Sequence, residues 1–334
     1  MPDVQLAYSQ LADALGEQKV SVDLAVLESY SRDASPLPPR RPDIVVRPAS
    51  IDDVVDVVRV ANAFKIPVLP TGGRASIAGA SIPSHGGIVL DMSSMRRVVE
   101  VGHSSMTVTV ECGITWGELI YHLRREGVKL GFRGPWSGHA ATVGGSISSN
   151  SIGFGGMWGQ APDSVANLKV VLPTGEVLET GSAASKFSKP FARYCLGPDL
   201  TGLFCGDHGT LGVKVEATLH TYPLPGSVEY GCFGFKSIRE AARAFYMIQR
   251  TRIPEDMAIA CDRYTIEFAF PEYAELYPDV EALIVYVVEG YSSTAVRANS
   301  EYCGKLAREN GGRDLGAFIP KAYWEGMFEI THQT

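Results

Sequence analysis

Three stretches of this chain gather backbone N–H groups where few side chains obstruct them. The first is Pro70-Thr71-Gly72-Gly73-Arg74-Ala75-Ser76, with Gly79 shortly after. Glycine permits positive φ and lets the backbone approach a ligand closely. Successive N–H groups in such a turn form a concavity suited to an anion such as a pyrophosphate. Arg74 would add a charge there and Ser76 a hydroxyl; the competing reading is a tight structural turn. No Gly-Lys-Ser/Thr follows, so this is not a Walker loop, and Gly72-Gly73 with Gly79 breaks the GxGxxG spacing. An ATP site of that kind and a Rossmann-type NAD site are both disfavoured.

The second stretch runs from Gly134 to Asn150 and contains Pro135, Ser137, Thr142, Gly144, Gly145 and Ser148. From Gly131 to Gly159 small side chains dominate, with no sustained helical or strand period. So long an irregular segment inside a domain points to one that wraps a ligand. A dinucleotide suits it, with Thr142, Ser148 and Asn150 as hydrogen-bonding groups. The third stretch is Gly206-Asp207-His208-Gly209-Thr210-Leu211-Gly212-Val213, leading into an alternating strand over Lys214–Tyr222.

Other chemistry is sparse. The six cysteines include no pair with CxxC spacing, and the seven histidines show neither HxH nor HxxxH, so nothing requires a protein-bound metal. Cysteines beside apolar neighbours, such as Leu203-Phe204-Cys205 and Ile259-Ala260-Cys261, read as small buried hydrophobes. A net charge of −7 disfavours a nucleic-acid protein with a phosphate-binding patch. No apolar run reaches the roughly 18 residues of a membrane span, and the N-terminus lacks the pattern of a secretion signal. The expectation is a cytoplasmic protein.

The 334 residues suggest two domains. Residues 4–16 read as a short helix, Ser35–Pro42 as an extended proline-rich crossing, and Ile44–Val46 as a strand. Ser50 should cap a helix with Asp52 and Asp53 in its first turn and Val54, Val57, Val58 and Ala61 on one face. Pro67 ends it, and Val68-Leu69 leads into the first glycine loop. Strands follow at 87–91, 98–101 and 107–111, then a helix over Trp116–Glu126 and a hairpin around Pro173-Thr174-Gly175-Glu176. A composition shift near Pro223–Gly226 marks the domain boundary, giving 1–225 and 226–334. Beyond it, Val228–Phe235, a helix opened by Ser237, Ala282–Glu289 and a helix opened by Ser292 resemble part of a split βαβ layer.

The three glycine segments, in this order and spacing, resemble the FAD-binding domain of the vanillyl-alcohol oxidase and p-cresol methylhydroxylase flavoproteins, most of all their glycolate oxidase and D-lactate dehydrogenase branch. PTGGRASIAGAS is similar to that family's pyrophosphate loop. TVGGSISSN with Gly159 and Asp163 is similar to its second FAD segment, and Asp199–Phe204 leading into GDHGTLGV to its third. The resemblance implies an α+β fold: a two-subdomain FAD-binding domain over 1–225, then the first part of a ferredoxin-like cap. It implies non-covalent FAD. Pro70–Ser76 and Gly79 would wrap the pyrophosphate. Pro135, Ser137, Thr142, Gly144, Gly145, Ser148, Asn150 and Gly159 would line the flavin and ribityl chain. Gly206, Gly209, Gly212 and Val213 would close the site. Arg74 and Ala75 stand where some relatives carry a flavin-linking histidine, and residues 134–160 contain no cysteine. His208 stands where most relatives have a glutamate, exchanging a carboxylate for an imidazole.

The activity so implied is oxidation of a small 2-hydroxy acid, such as glycolate or D-lactate, by hydride transfer to flavin N5. No catalytic base is assigned, because those groups lie mostly in the part of the cap beyond this chain. His332 reads as a tail residue; Arg263, Tyr264 and Lys321 read as solvated or packing residues, the competing reading being that they reach the cofactor face of a cap. The alternatives are an FAD transferase of the alkylglycerone-phosphate synthase type, and a non-catalytic FAD-binding subunit needing a partner chain. The peptidoglycan enolpyruvyl reductases match less well. An electron acceptor or complementary subunit and a homo-oligomer are the expected partners, with no nucleic acid.

Overall fold

A serine followed by two aspartates opens the helix that organises the first half of the chain. The Ser50 hydroxyl accepts from the Asp53 N–H at 3.1 Å, and Asp52 and Asp53 occupy the first turn, where the helix dipole favours negative charge. In the computed structural model, which describes residues 3–328 except Cys195, Cys261 and Phe270, this helix buries Val54, Val55, Val57, Val58 and Ala61. It stops at Phe64, just ahead of Pro67, with Lys65 in the left-handed region. His332 lies outside the described residues, as do Cys195 and Cys261.

Two compact units result. The first comprises residues up to Ile152 together with Gln160–Tyr222. It begins with α1 (Val4–Leu15), β1 (Val20–Ser21), α2 (Leu24–Ser29), β2 (Ile44–Val46), α3 (Ile51–Phe64), β3 (Val68–Thr71) and β4 (Ile88–Asp91). These strands form a sheet in the order β1-β2-β4-β3, with β4 parallel to both β2 and β3. Parallel strands are buried on both faces and read as unbroken apolar runs, which accounts for Ile44-Val45-Val46 and Ile88-Val89-Leu90, all buried. Helices α1 and α3 share one core with this sheet.

The second sheet of this unit is built from β5 (Val98–Gly102), β6 (Thr107–Glu111), β7 (Val128–Leu130), β8 (Val165–Val171), β9 (Val177–Glu179) and β10 (Val213–Pro223). Its order is β5-β6-β10-β8-β9, antiparallel along that path, with β7 also on β10. Between β6 and β7, α4 (Trp116–Arg125) starts with a reciprocal capping box of Thr115 and Glu118. Two short helices, α5 (Val143–Ser148) and α6 (Leu200–Leu203), complete the unit. Helix α5 corrects the expectation that 131–159 lacks regular structure. Its six residues are too few to show a period, and the Thr142 side chain caps it by accepting from the Gly145 N–H at 3.3 Å.

The second unit contains Gly153–Gly159 and the chain from Pro223 onward. It runs β11 (Ser227–Phe235), α7 (Ile238–Gln249), β12 (Asp256–Ala260), α8 (Arg263–Ala269), α9 (Pro271–Leu276), β13 (Ala282–Gly290), α10 (Ser293–Glu309), β14 (Arg313–Asp314) and α11 (Phe318–Glu325). The antiparallel order β12-β13-β11-β14 is that of a ferredoxin-like βαββαβ layer, with α8 and α9 inserted between its second and third strands. One face packs on α7 and α10 through Ala241, Ile248, Cys303 and Ala307. The other packs on α8, α9 and α11 through Ile266, Ala274 and Ile319. The whole is an α+β protein. Among the described residues, no helix is long and apolar enough to cross a membrane.

Candidate functional site

The carboxyl ends of β3 and β4 lie side by side, with Thr71 and Asp91 as register partners. Ligands of open parallel sheets collect at such ends, and the first glycine loop starts there. Gly72 lies against Thr142, whose side chain a Cβ at Gly72 would strike. Gly73 lies against the Ala140 carbonyl in the same way. The first and second loops thus meet backbone to backbone, at a distance only glycine permits.

The second and third loops are joined by main-chain hydrogen bonds. The Gly206 N–H donates to the Ile147 carbonyl and the His208 N–H to the Ser148 carbonyl, both at 2.9 Å. Gly206 faces the Asn150 side chain, and a Cβ on Gly209 would sit 3.7 Å from the Pro70 ring, so the third loop touches the first as well. Arg74, Asn150 and His208 all take left-handed φ (52°, 51° and 51°), one in each loop. Such conformations cost about 1–3 kcal/mol each and tend to gather at functional sites.

Several polar groups are accounted for within the protein. The Gly144 N–H donates to the Cys112 carbonyl at 2.8 Å, and the Gly145 N–H is used by Thr142. Ala140 and Ala141 donate to the Ser137 carbonyl, placing Pro135 and Ser137 on a folded-back turn. The Ser76 hydroxyl accepts from Ala78 and Ala80 N–H groups. By contrast, the buried Thr71 hydroxyl has no hydrogen-bond partner, although buried hydroxyls nearly always have one. An orphaned hydroxyl at the mouth of a glycine loop suits a polar ligand.

Arg74 lies otherwise than the sequence suggested. Its guanidinium stacks over the Tyr30 ring, 4.3 Å from the centroid, and donates to the Ser29 carbonyl. Gly159 is also set apart: it belongs to the second unit, whereas every other expected site residue lies in the first. There Phe154 packs on Tyr323 and Phe328, the Gly156 N–H donates to Asp256 at 3.0 Å, and the Trp158 indole donates to Glu255 at 2.8 Å.

Two features went unread in the sequence. A cavity of about 240 Å³ opens beside the third loop, lined by Val58, Ala61, Ile66 and Val68 with Pro70, Gly209, Gly212 and Val213. Its walls are mixed, with Asn62 and Thr210 beside the apolar side chains. The other is Lys214, buried against Asp207 at 2.5 Å. A lysine within the apolar alternation Val213-Lys214-Val215 was the available signal. Among the described residues, no group of three or more His, Cys, Asp or Glu is placed to hold a metal.

Residues 42–181 match the family model described as "FAD binding domain". The chain is 29% identical over 324 residues to "Probable D-lactate dehydrogenase, mitochondrial" of Danio rerio, covering 93% of this chain and 61% of the relative. It is 30% identical over 261 residues to glycolate oxidase subunit GlcD of Bacillus subtilis, covering 78% of this chain and 54% of the relative. Among solved structures, an alkyldihydroxyacetonephosphate synthase superposes with a TM-score of 0.83 at 22% identity, over 98% of this chain and 63% of that one. P-cresol methylhydroxylase superposes with a TM-score of 0.79 at 18% identity, over 93% and 65%. These two likenesses show the shared fold. The chain spans about three fifths of the length of the Danio rerio relative and about half that of the Bacillus subtilis one. Residues 42–181 thus form an FAD-binding domain, on which the three loops converge, and its cofactor is FAD.

Proposed function

We propose that this chain is the flavin-bearing part of an oxidoreductase that removes hydride from a small 2-hydroxy acid such as glycolate or D-lactate. The convergence of the three glycine loops carries the cofactor half of this reading, and the D-lactate dehydrogenase and glycolate oxidase relatives carry the substrate half. Bound FAD supplies a hydride acceptor, while the protein orients and shields it.

In this proposal the backbone of Pro70–Ser76 and Gly79 holds the pyrophosphate, and the orphaned Thr71 hydroxyl donates to it. Pro135, Ser137, Thr142, Gly144, Gly145, Ser148, Asn150 and Gly159 line the flavin and ribityl side. Gly206, Gly209, Gly212 and Val213 close the site, at the adenine end or beneath the ring. FAD is held without a covalent bond. Domains divide near residue 225, the second being the first portion of a substrate cap, and the electron acceptor or a complementary subunit is the partner. A cytoplasmic location completes the proposal.

The test is direct. Protein incubated with FAD and then gel-filtered should be yellow, and its spectrum should bleach anaerobically with glycolate or D-lactate. A colourless product would overturn the cofactor arrangement. Retained FAD that no 2-hydroxy acid reduces would leave a transferase or a binding subunit that needs a partner chain.

A further inference from the structure

A left-handed backbone at a non-glycine residue persists only where its surroundings hold it, and Arg74 is such a residue in the first glycine loop. What holds it is visible. The guanidinium lies on the face of Tyr30 and donates to the Ser29 carbonyl at the end of α2. Tyr30 is itself fixed. Its hydroxyl donates to Asp91 Oδ2 at 2.6 Å and accepts from Arg47 Nε at 3.1 Å. Its ring packs with Leu27, Val45 and Val89. Asp91 is the last residue of β4, beside Thr71 at the root of the loop.

We infer that Tyr30 is a positioning residue for the FAD pyrophosphate loop: it grips the Arg74 side chain, so that Arg74 fixes the loop's turn instead of serving as the counter-charge of the phosphates. The inference rests on the proposed use of this loop for FAD. Asp91, Tyr30 and Arg74 form a chain of contacts from the end of one parallel strand to the loop that leaves its neighbour. The loop is thereby held in shape before any ligand arrives, which lowers the ordering cost of binding.

The experiment is titration of apo-protein with FAD, followed by flavin fluorescence, for the wild type, Tyr30→Phe, Tyr30→Leu, Arg74→Ala and Tyr30→Leu/Arg74→Ala, at low and high salt. Tyr30→Leu and Arg74→Ala should each weaken binding by about tenfold, the scale of a cation–π contact. The double variant should be no weaker than Arg74→Ala alone, because both changes break one grip. Tyr30→Phe keeps the ring but loses the bonds to Asp91 and Arg47, and should bind between wild type and Tyr30→Leu. Arg74→Ala should leave the salt dependence of binding unchanged. Additive effects in the double variant, a flattened salt dependence in Arg74→Ala, or Tyr30→Phe as weak as Tyr30→Leu would each overturn the inference. Should Tyr30→Leu fail to fold by circular dichroism, the salt dependence of Arg74→Ala decides alone. Wild-type protein that takes up no FAD overturns the cofactor arrangement itself, an outcome distinct from all of these.

Discussion

Lys214 and Asp207 form an ion pair inside the protein, Nζ to Oδ1 at 2.5 Å, with each side chain only 2% exposed. The same carboxylate accepts from the N–H groups of Gly209 at 3.0 Å and Leu211 at 3.3 Å. One charge therefore gathers the turn of the third glycine loop, and the other neutralises it. Removing a single partner strands a buried charge, whereas removing both does not. Lys214→Met should lower unfolding stability by about 3–5 kcal/mol, and Asp207→Asn/Lys214→Met should recover most of that loss. Urea unfolding at matched m values measures both. A single variant within about 1 kcal/mol of wild type would show that the remaining charge reaches water.

Gly73 lies against the Ala140 carbonyl, backbone that cannot swing aside as a side chain would. Gly73→Ala should force the first and second loops apart and weaken FAD binding by at least about tenfold, in line with the cost of overpacking. Gly127, where an added Cβ meets nothing within 4 Å, supplies the comparison. Gly127→Ala strains its left-handed turn but should leave FAD affinity unchanged. Flavin fluorescence titration of both variants checks the contrast, and equal losses would mean that loop spacing does not matter.

Legibility in the sequence follows the range of the forces involved. Ser50, the two aspartates and the stripe from Val54 to Ala61 announce α3, because capping and helical periodicity act within a few turns. Strands β2 and β4 are equally plain, since burial on both faces leaves solid apolar runs. Strand β12 is not: Asp256 is buried through the Gly156 N–H, a hundred residues away in sequence. Glycine spacing marks the three loops, yet the destination of Arg74 depends on Ser29 and Tyr30, some 45 residues upstream. The grouping of Gly159 with the second unit, anchored through Phe154 and Trp158, is likewise a tertiary fact that no local pattern carries.

Acid should unfold the protein partly through two aspartates. Burial alone would raise Asp53, but hydrogen bonds from Lys19 and the Ala49 N–H outweigh it and hold the carboxyl below its ordinary value. Hydrogen bonds from Arg193 do the same for Asp199. A carboxyl lowered on folding contributes stability that is present above its unfolded pKa, near 3.9. That contribution is lost as pH falls through the lowered folded value. Stability measured by denaturant titration should therefore drop as pH falls below about 4, and Asp53→Asn or Asp199→Asn should make the drop shallower. Variants that follow the wild-type acid curve would show that neither pair is linked to folding.

The thiols make a separate and sharper test of packing. Burial pushes Cys112, Cys232 and Cys303 up to about 12 and Cys205 up to about 11, in spite of Lys214 and Arg193 near Cys112 and Cys205. Only the thiolate is nucleophilic, so at pH 8 almost none of these four groups is in the reactive form, and three of them are also sealed from solvent. Folded protein treated with iodoacetamide at pH 8 should leave all four unmodified, as read by peptide mass mapping, while protein in urea should be modified at each. Cys205 is the discriminating position. It is only half-buried, and its thiol donates to the Thr201 carbonyl at 3.3 Å. Its protection therefore depends on α6 holding Thr201 in place. If Cys205 is labelled in the folded state while Cys112 is not, α6 opens locally on the timescale of the reaction. If added FAD then protects it, that opening is coupled to cofactor binding.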